Sequence, residues 1–528
     1  MRYIIPIIIL CFLLVSCNQQ DQSWGDKVIK SEKDVTMVAS INLKKLMEKA
    51  DLSNNSQLAP DQKIMINAFN ATMNNESLGF DIDKAQRFFL VPIAGEMNAA
   101  MFMVGDVTDL TVFENTLSSY LGAISPDESY PKIVYVDEYE VVIGYDEDHF
   151  IVGYGQNSLF AFQKIETYFK NPLLVIENKM LEEYLSREDD VSYYLAAGKL
   201  IEFINKINNP FTRLFLSNID DLSQYSNNLY AALNFNNGEV ILTGNSDFEQ
   251  ETGKSVFANG GVDKQFKNYL SDNNQLILFG FLNVIPENVV NQVNQLSKVG
   301  QLRGLNRFLK RIGSDKLIET MDGQMSFSLI DLPGDDVKST NDNTNNDEDY
   351  WNEEGYDVED DLSEVDYGLD IEVPKMIISI GVKDVEKLKS FSDDNDVSIV
   401  DNQITTIDKN GFLLLKNNVL HIATSNELLE KINKEGELKT YTAIEDNCFN
   451  KPLYGVMNFD LQSWPAGMVD EIKRDSGLKN ALQELKTITF STSNNELQFK
   501  LELNDEKQNS LKRILELIIE NQIIEEFI

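Results

Sequence analysis

Short apolar runs of strand length alternate along this chain with stretches whose apolar residues recur at helical spacing, and the order of these stretches repeats once. Spacing of two marks a strand and spacing of three to four a helix, so the pattern predicts an α+β protein. Four blocks recur. In the first, Met37-Val38-Ala39-Ser40-Ile41-Asn42-Leu43 leads into Lys44 to Lys49, and Leu278-Phe279-Gly280-Phe281-Leu282-Asn283-Val284 leads into Glu287 to Leu296. An Asn closes each strand, where its side chain can bond local backbone and start a turn. In the second, Phe102-Met103-Val104-Gly105-Asp106-Val107 with Leu110 matches Ile380-Gly381-Val382-Lys383-Asp384-Val385 with Leu388. Asp106 and Asp384 are read as helix N-caps, worth about 1 kcal/mol each.

The third block is a hairpin entering a helix. Val141 to Gly144, a turn at Asp146 to Asp148 and Phe150 to Gly153 match Phe412 to Leu415, Asn417-Asn418 and Leu420 to Ala423. Helices follow at 157–169 and 426–432. The fourth begins with the strands Tyr193 to Ala196 and Leu453 to Val456, each followed by a helical excursion and a closing hairpin. Those hairpins turn at Asn237-Gly238 and Asn494-Asn495, and Asn-Gly is the strongest short hairpin signal. Strict alternation in Leu497-Gln498-Phe499-Lys500-Leu501-Glu502-Leu503 gives one buried and one wet face. The expected architecture is two tandem copies of one domain, 31–255 and 256–528, each a mainly antiparallel sheet with helices on one face. Leu511, Ile514, Leu515, Ile518 and Ile519 predict a terminal amphipathic helix capping the last sheet.

Residues 335–372 break the pattern, with sixteen acidic residues against the single basic Lys338. So little apolar surface cannot offset ordering entropy, which predicts a disordered insertion in the second copy. Dense carboxylates raise the question of a divalent cation on this loop. Asp342, Thr344 and Asn346 lack both the acid pattern and the Gly of a calcium hand. The residues flanking the insertion, Met325 to Leu332 and Met376 to Val382, read as strands.

The N-terminus changes the picture more than the composition does. Arg2 precedes an apolar run from Ile4 to Val15, too short for a membrane span, which needs about 20 residues. Leu14-Val15-Ser16-Cys17 resembles a bacterial lipobox. Residues 1–16 are therefore expected to be a signal peptide, Cys17 the lipidated new N-terminus, and 17–30 the tether. Two or three acyl chains anchor firmly at about 0.8 kcal/mol per buried CH₂. The expected place is the cell envelope, lipid-anchored at the outer membrane, with the face undetermined because only Asp21 represents an acidic export cluster.

With 528 residues, 42% hydrophobic and 10% aromatic, the chain can bury real cores. A net charge of -39 argues against nucleic acid, whose binding needs clustered Lys and Arg. Cys11 leaves with the signal and Cys17 is acylated, so Cys448 has no intrachain disulfide partner. His149 and His421 are the only histidines, too few for a His-based zinc site. No Gly-x-Ser-x-Gly elbow frames a serine. Gly253-Lys254-Ser255 has Phe248 where a phosphate loop needs its leading Gly, and Ser476 with Lys479 lacks the companion motifs of a Ser-x-x-Lys nucleophile. No catalytic, cofactor or metal residue is nominated.

The lipobox, followed by Asp34-Val35-Thr36-Met37-Val38-Ala39-Ser40-Ile41-Asn42-Leu43-Lys44-Lys45-Leu46 and later Gly79-Phe80-Asp81-Ile82-Asp83, is similar to a family of Bacteroidetes lipoproteins catalogued as a domain of unknown function. The resemblance implies an envelope protein and carries no catalytic residues with it. The expected function is a membrane-anchored, non-enzymatic binding or scaffolding protein, holding the membrane through Cys17 and engaging envelope proteins or glycans. The alternative is an envelope hydrolase whose site is assembled from scattered Asp, Glu and Ser.

Overall fold

A computed structural model describes residues 23–520 outside 56–57, 94–97, 122–129, 137–139, 156, 201–227, 248–254, 271–275, 297–313, 332–373, 394–396, 409–410, 439–445, 462–463, 465–468, 470–479, 481 and 494–495. Cys17, Ser476, Lys479 and the acidic insertion lie outside the described residues. The chain forms two compact units. Unit 1 comprises Met1–Val256, Glu287–Asp315 and Thr489–Ile528; unit 2 comprises Phe257–Pro286 and Lys316–Ile488.

Unit 1 carries β1 (Met37–Ile41), β2 (Gln86–Pro92), β3 (Ala99–Asp106), β4 (Lys132–Val136), β5 (Val141–Tyr145), β6 (His149–Tyr154), β7 (Val191–Ala196), β8 (Asn228–Asn236) and β9 (Glu239–Ser246). They pair antiparallel in the order β4-β5-β6-β3-β2-β1-β7-β8-β9. Val142, Ile151, Phe102, Phe89 and Val38 form one core with the helices Trp24–Ser31, Ser158–Lys170 and Lys179–Leu185. Ile143, Tyr145 and Phe150 form a second core, around Phe113 of the helix Leu110–Leu121. Helices therefore cover both faces at this end, which corrects the expected one-sided packing. The physical reason is visible in β5: Val142 to Tyr145 are buried without alternation, as in a strand covered on both sides.

In unit 2, β10 (Leu278–Asn283), β11 (Met321–Asp331), β12 (Lys375–Val382), β13 (Ile404–Asp408), β14 (Gly411–Lys416), β15 (Val419–Ala423) and β16 (Leu453–Asn458) also pair antiparallel, in the order β13-β14-β15-β12-β11-β10-β16. Leu428, Leu429 and Ile432 of the helix Asn426–Glu435 join one core, which also holds the buried Cys448. Leu388 of the helix Val385–Asp393 joins the other.

Three local expectations need correction. The tether is shorter than 17–30, because Trp24–Ser31 is a helix capped by Ser23 whose Val28 and Ile29 are fully buried. Asp106 is not an N-cap: Asp109 accepts from the Val112 N–H at 3.0 Å, as Asp384 accepts from the Lys387 N–H at 2.9 Å. The chain terminus does not complete unit 2. β17 (Leu485–Ser493) runs across the boundary, and β18 (Glu496–Leu503) pairs with β9, covering an edge that would otherwise be open. The helix Ser510–Glu520 follows it in unit 1, with Lys512 2.6 Å from Asp51.

The flanks of the insertion do pair, with β11 and β12 in register from Met325↔Ile380 to Leu329↔Met376 and again at Asp331↔Lys375. Replacing 335–372 by a short Gly-Ser turn is expected to leave Tm within a few degrees of the parent, since halving a loop changes closure by only about 0.6 kcal/mol. Thermal melts of both proteins, with and without millimolar calcium, check this. A calcium-dependent rise that vanishes on deletion would instead make the loop a cation site.

Candidate functional site

A cavity of about 600 Å³ opens in unit 1 where β1 and β3 end and β2 begins. This volume lies within the range that holds small ligands. Strand register sets its floor. Ile41 pairs with Gln86, and Arg87 with Val104, so β2 enters the sheet beside the last residues of its two neighbours. The helix Trp24–Ser31 supplies one wall, resting so closely on β3 that a Cβ on Gly25 would come within 2.9 Å of Val104. The segment from Glu182 to Glu188 supplies another.

Charge is unusually dense here for buried surface. Asp26 and Lys30, one helical turn apart, are 8% and 4% exposed. Lys30 binds Glu182 at 2.7 Å. Asp26 pairs with the Arg87 guanidinium, which also donates to the Leu185 carbonyl at 2.6 Å. Burial pulls Arg87 below its ordinary value, the direction expected when a cation loses water. Lys45, in the first turn after β1, reaches the Glu188 carbonyl at 3.0 Å. Arg187 lies over the Tyr230 ring at 5.1 Å and binds Asp189 at 2.6 Å.

Opposite these, Lys84 lies 2.7 Å from Asp106 and 3.4 Å from Asp81. Hydrogen bonding to Asp106, followed by the charges of Asp106 and Asp81, lifts Lys84 above the ordinary lysine range against desolvation. Gln86 is 6% exposed and its amide nitrogen is tied to the Asp81 and Lys84 carbonyls at 2.8 and 3.1 Å. That fixes which end of the amide is oxygen, and Oε1 has no hydrogen-bond partner. A buried acceptor left unpaired costs about 1–3 kcal/mol, so it invites a donor.

The histidines are not part of this cavity. His149 stacks on Trp24 at 4.6 Å in unit 1. His421 lies in unit 2, where its Nδ1 is 2.9 Å from Ser379 Oγ. This serine–histidine pair does not make a nucleophile that substrate can reach, since the two residues are 0% and 1% exposed and the Tyr269 ring packs against the imidazole at 4.7 Å. Burial, with a smaller contribution from Lys416, pushes the imidazole down to about 3, so it is neutral near pH 7. Among the described residues no three His, Cys, Asp or Glu side chains converge to hold a metal ion.

None of the cavity residues was nominated from sequence, although one signal was present. Arg87 is a lone charge entering the apolar run Phe88-Phe89-Leu90-Val91, and a charge inside a buried strand needs a partner. Asp26 and Lys30 sat inside what reads as tether, so no partner was sought there.

No family model matches the chain, and no curated protein does. Among solved structures, crystal form III of TP0453 is similar at 13% identity over 45% of this chain and 88% of that one, with a TM-score of 0.25. Crystal form IV of TP0453 is similar at 13% identity over 46% and 91%, with a TM-score of 0.26.

Proposed function

We propose that this chain is an envelope lipoprotein, acylated at Cys17, that binds a small polar ligand or polar partner group in the cavity of its first domain. The observation that carries the binding reading is the cavity itself: ion pairs line its walls, and Gln86 among its lining residues keeps a buried acceptor without a partner. Preorganised polar walls suit recognition, and no side chain among those lining the cavity is paired as nucleophile with base. The sealed Ser379–His421 pair gives the hydrolase alternative no support.

On this proposal the membrane lies close to the cavity. Ser23 lines it, and six residues of extended chain from Cys17 reach about 20 Å at most. Substituting Cys17→Ala is expected to move the protein from the detergent phase to the aqueous phase on cloud-point partition. Recovery of the variant in the detergent phase at the parental level would remove the anchoring reading.

Two copies of one domain, the second receiving the acidic insertion, are part of the same proposal. What supports it is matching strand order, in which β7-β1-β2-β3-β6-β5-β4 and β16-β10-β11-β12-β15-β14-β13 follow one path. Backbone bonds outside the ladders recur as well. Thr36 N–H donates to Leu90 and Ile277 N–H to Leu329; Asn42 N–H donates to Asp190 and Asn283 N–H to Pro452; Val107 N–H donates to Asp148 and Val382 N–H to Asn418. In this correspondence, which shifts the match read from sequence in the second block by three residues, Val104 and Ile151 stand where Ser379 and His421 stand, and Arg87 where Ser326 does. The ionic floor therefore belongs to one copy alone, as expected if the binding role has settled there.

A further inference from the structure

Beside the first helix of unit 1 runs a loop of a kind that water-facing surfaces avoid. After the helix Ser158–Lys170 the chain reads Asn171-Pro172-Leu173-Leu174-Val175-Ile176, without a charge in a protein where 25% of residues carry one. Leu173 packs on the core, but Leu174, Val175 and Ile176 are 79%, 44% and 38% exposed. A run of adjacent exposed apolar residues marks a surface that something else covers. The loop is held in place, because Ile176 N–H donates to the Lys30 carbonyl at 2.9 Å. At its other end, Phe169 meets the Trp24 ring at 4.9 Å and the Tyr130 ring at 6.4 Å, and Tyr130 is 61% exposed. The loop therefore follows the helix Trp24–Ser31, with two aromatic side chains at the helix end where the chain arrives from Cys17.

We infer that this surface rests in the interfacial layer of the bilayer that holds the Cys17 acyl chains, with Leu174 and Val175 reaching the hydrocarbon and Tyr130 at the headgroups. Reach allows it. Six residues of extended chain from Cys17 to Ser23 span about 20 Å at most, and the five from Phe169 to Leu174 about 18 Å. Acylation thus presents lipid to this loop at high effective concentration, ahead of any partner in dilute solution. Composition agrees with the same occupant. Aliphatic side chains gain from leaving water, and Tyr and Trp favour the membrane–water boundary. A body of net charge -39 is repelled by anionic lipid, so the contact must be local and apolar. The inference rests on acylation at Cys17 and adds to it a fixed orientation of unit 1 on the membrane.

Fluorescence quenching of the mature, acylated full-length protein tests it. Leu174→Cys is labelled with nitrobenzoxadiazole, since Cys448 is buried. The protein is placed in vesicles of phosphatidylethanolamine and phosphatidylcholine, with or without phosphatidylcholine that carries a nitroxide near the headgroup end of one acyl chain. The nitroxide lipid is expected to quench the label at least twofold. The same label on Leu159→Cys, 61% exposed but about 15 Å from Phe169 along the same helix, is expected to keep its intensity. Adding Val175→Asp is expected to abolish most of the quenching at 174, with melting temperature and detergent partition unchanged. No quenching at 174 in protein that floats with the vesicles would overturn the membrane contact and leave the anchor standing. Equal quenching at 159 and 174, or quenching at 174 that survives Val175→Asp, would overturn it too. A label at 174 shielded from aqueous iodide but not quenched by nitroxide lipid would assign the loop to a second copy of the chain instead. Parent protein that does not float with vesicles would count against the anchor and the contact together.

Discussion

Arg87→Met is expected to destabilise unit 1 by about 3–5 kcal/mol, the usual cost of leaving one member of a buried ion pair without its partner. The argument is one of desolvation. Asp26 and Arg87 keep only 12% and 14% of their side-chain surface in contact with solvent. Methionine fills much of the space of the arginine stem but gives the Asp26 carboxylate nothing to bind, and it orphans the Leu185 carbonyl. The double variant Asp26→Ala with Arg87→Met removes the stranded charge and is expected to recover more than half of the loss. Urea denaturation followed by tryptophan fluorescence, with Trp24 in the helix that carries Asp26, reads the effect. A single variant within 1 kcal/mol of the parent would mean that the pair is not buried as described.

The second large effect is an acid sensitivity confined to unit 2. The His421 imidazole is pushed down to about 3 in the folded protein, from an ordinary value of 6.5, mainly by burial. Above pH 6.5 both folded and unfolded chains hold it neutral, and the difference contributes nothing to pH dependence. As pH falls further, the unfolded chain takes up a proton that the folded chain refuses. Stability is then lost at up to about 1.4 kcal/mol per pH unit, continuing toward pH 3. Between pH 6.5 and 4.5 the loss is about 2–3 kcal/mol from this one group. Ser379→Val with His421→Ile copies the Val104–Ile151 pair of unit 1 into the same cross-strand position. That variant is expected to flatten the acid limb of the stability curve without lowering stability at pH 7.5. A parallel acid limb in variant and parent would show that His421 is not the group responsible.

Strands and their order in the chain were legible because apolar periodicity is a local signal. Every block read as strand then helix contains the expected strand, from Met37–Ile41 to Glu496–Leu503. What misled was anything decided by a distant partner. One-sided packing followed from the alternation in β18, but β5 is buried on both faces and carries no such alternation. Asp106 resembled an N-cap by its place after a strand, whereas Asp109, three residues on, is where the helix starts. Asp106 is instead free to hold Lys84 at the cavity. The terminal helix has the amphipathic spacing expected of a cap, but spacing says nothing about which sheet it covers. The cavity was invisible for the same reason: its charges come from 23–30, 42–45, 81–87, 104–106 and 182–188, brought together only by strand pairing.

Hydrogen–deuterium exchange of the full-length protein, with and without a small-molecule extract of the cells that make it, tests the central claim most directly. Binding in the first domain's cavity predicts added protection at 81–87, 104–106 and 182–188, reduced in Asp106→Asn and unaffected by Ser379→Val with His421→Ile. Protection confined to unit 2, or equal protection in Asp106→Asn and the parent, would contradict it.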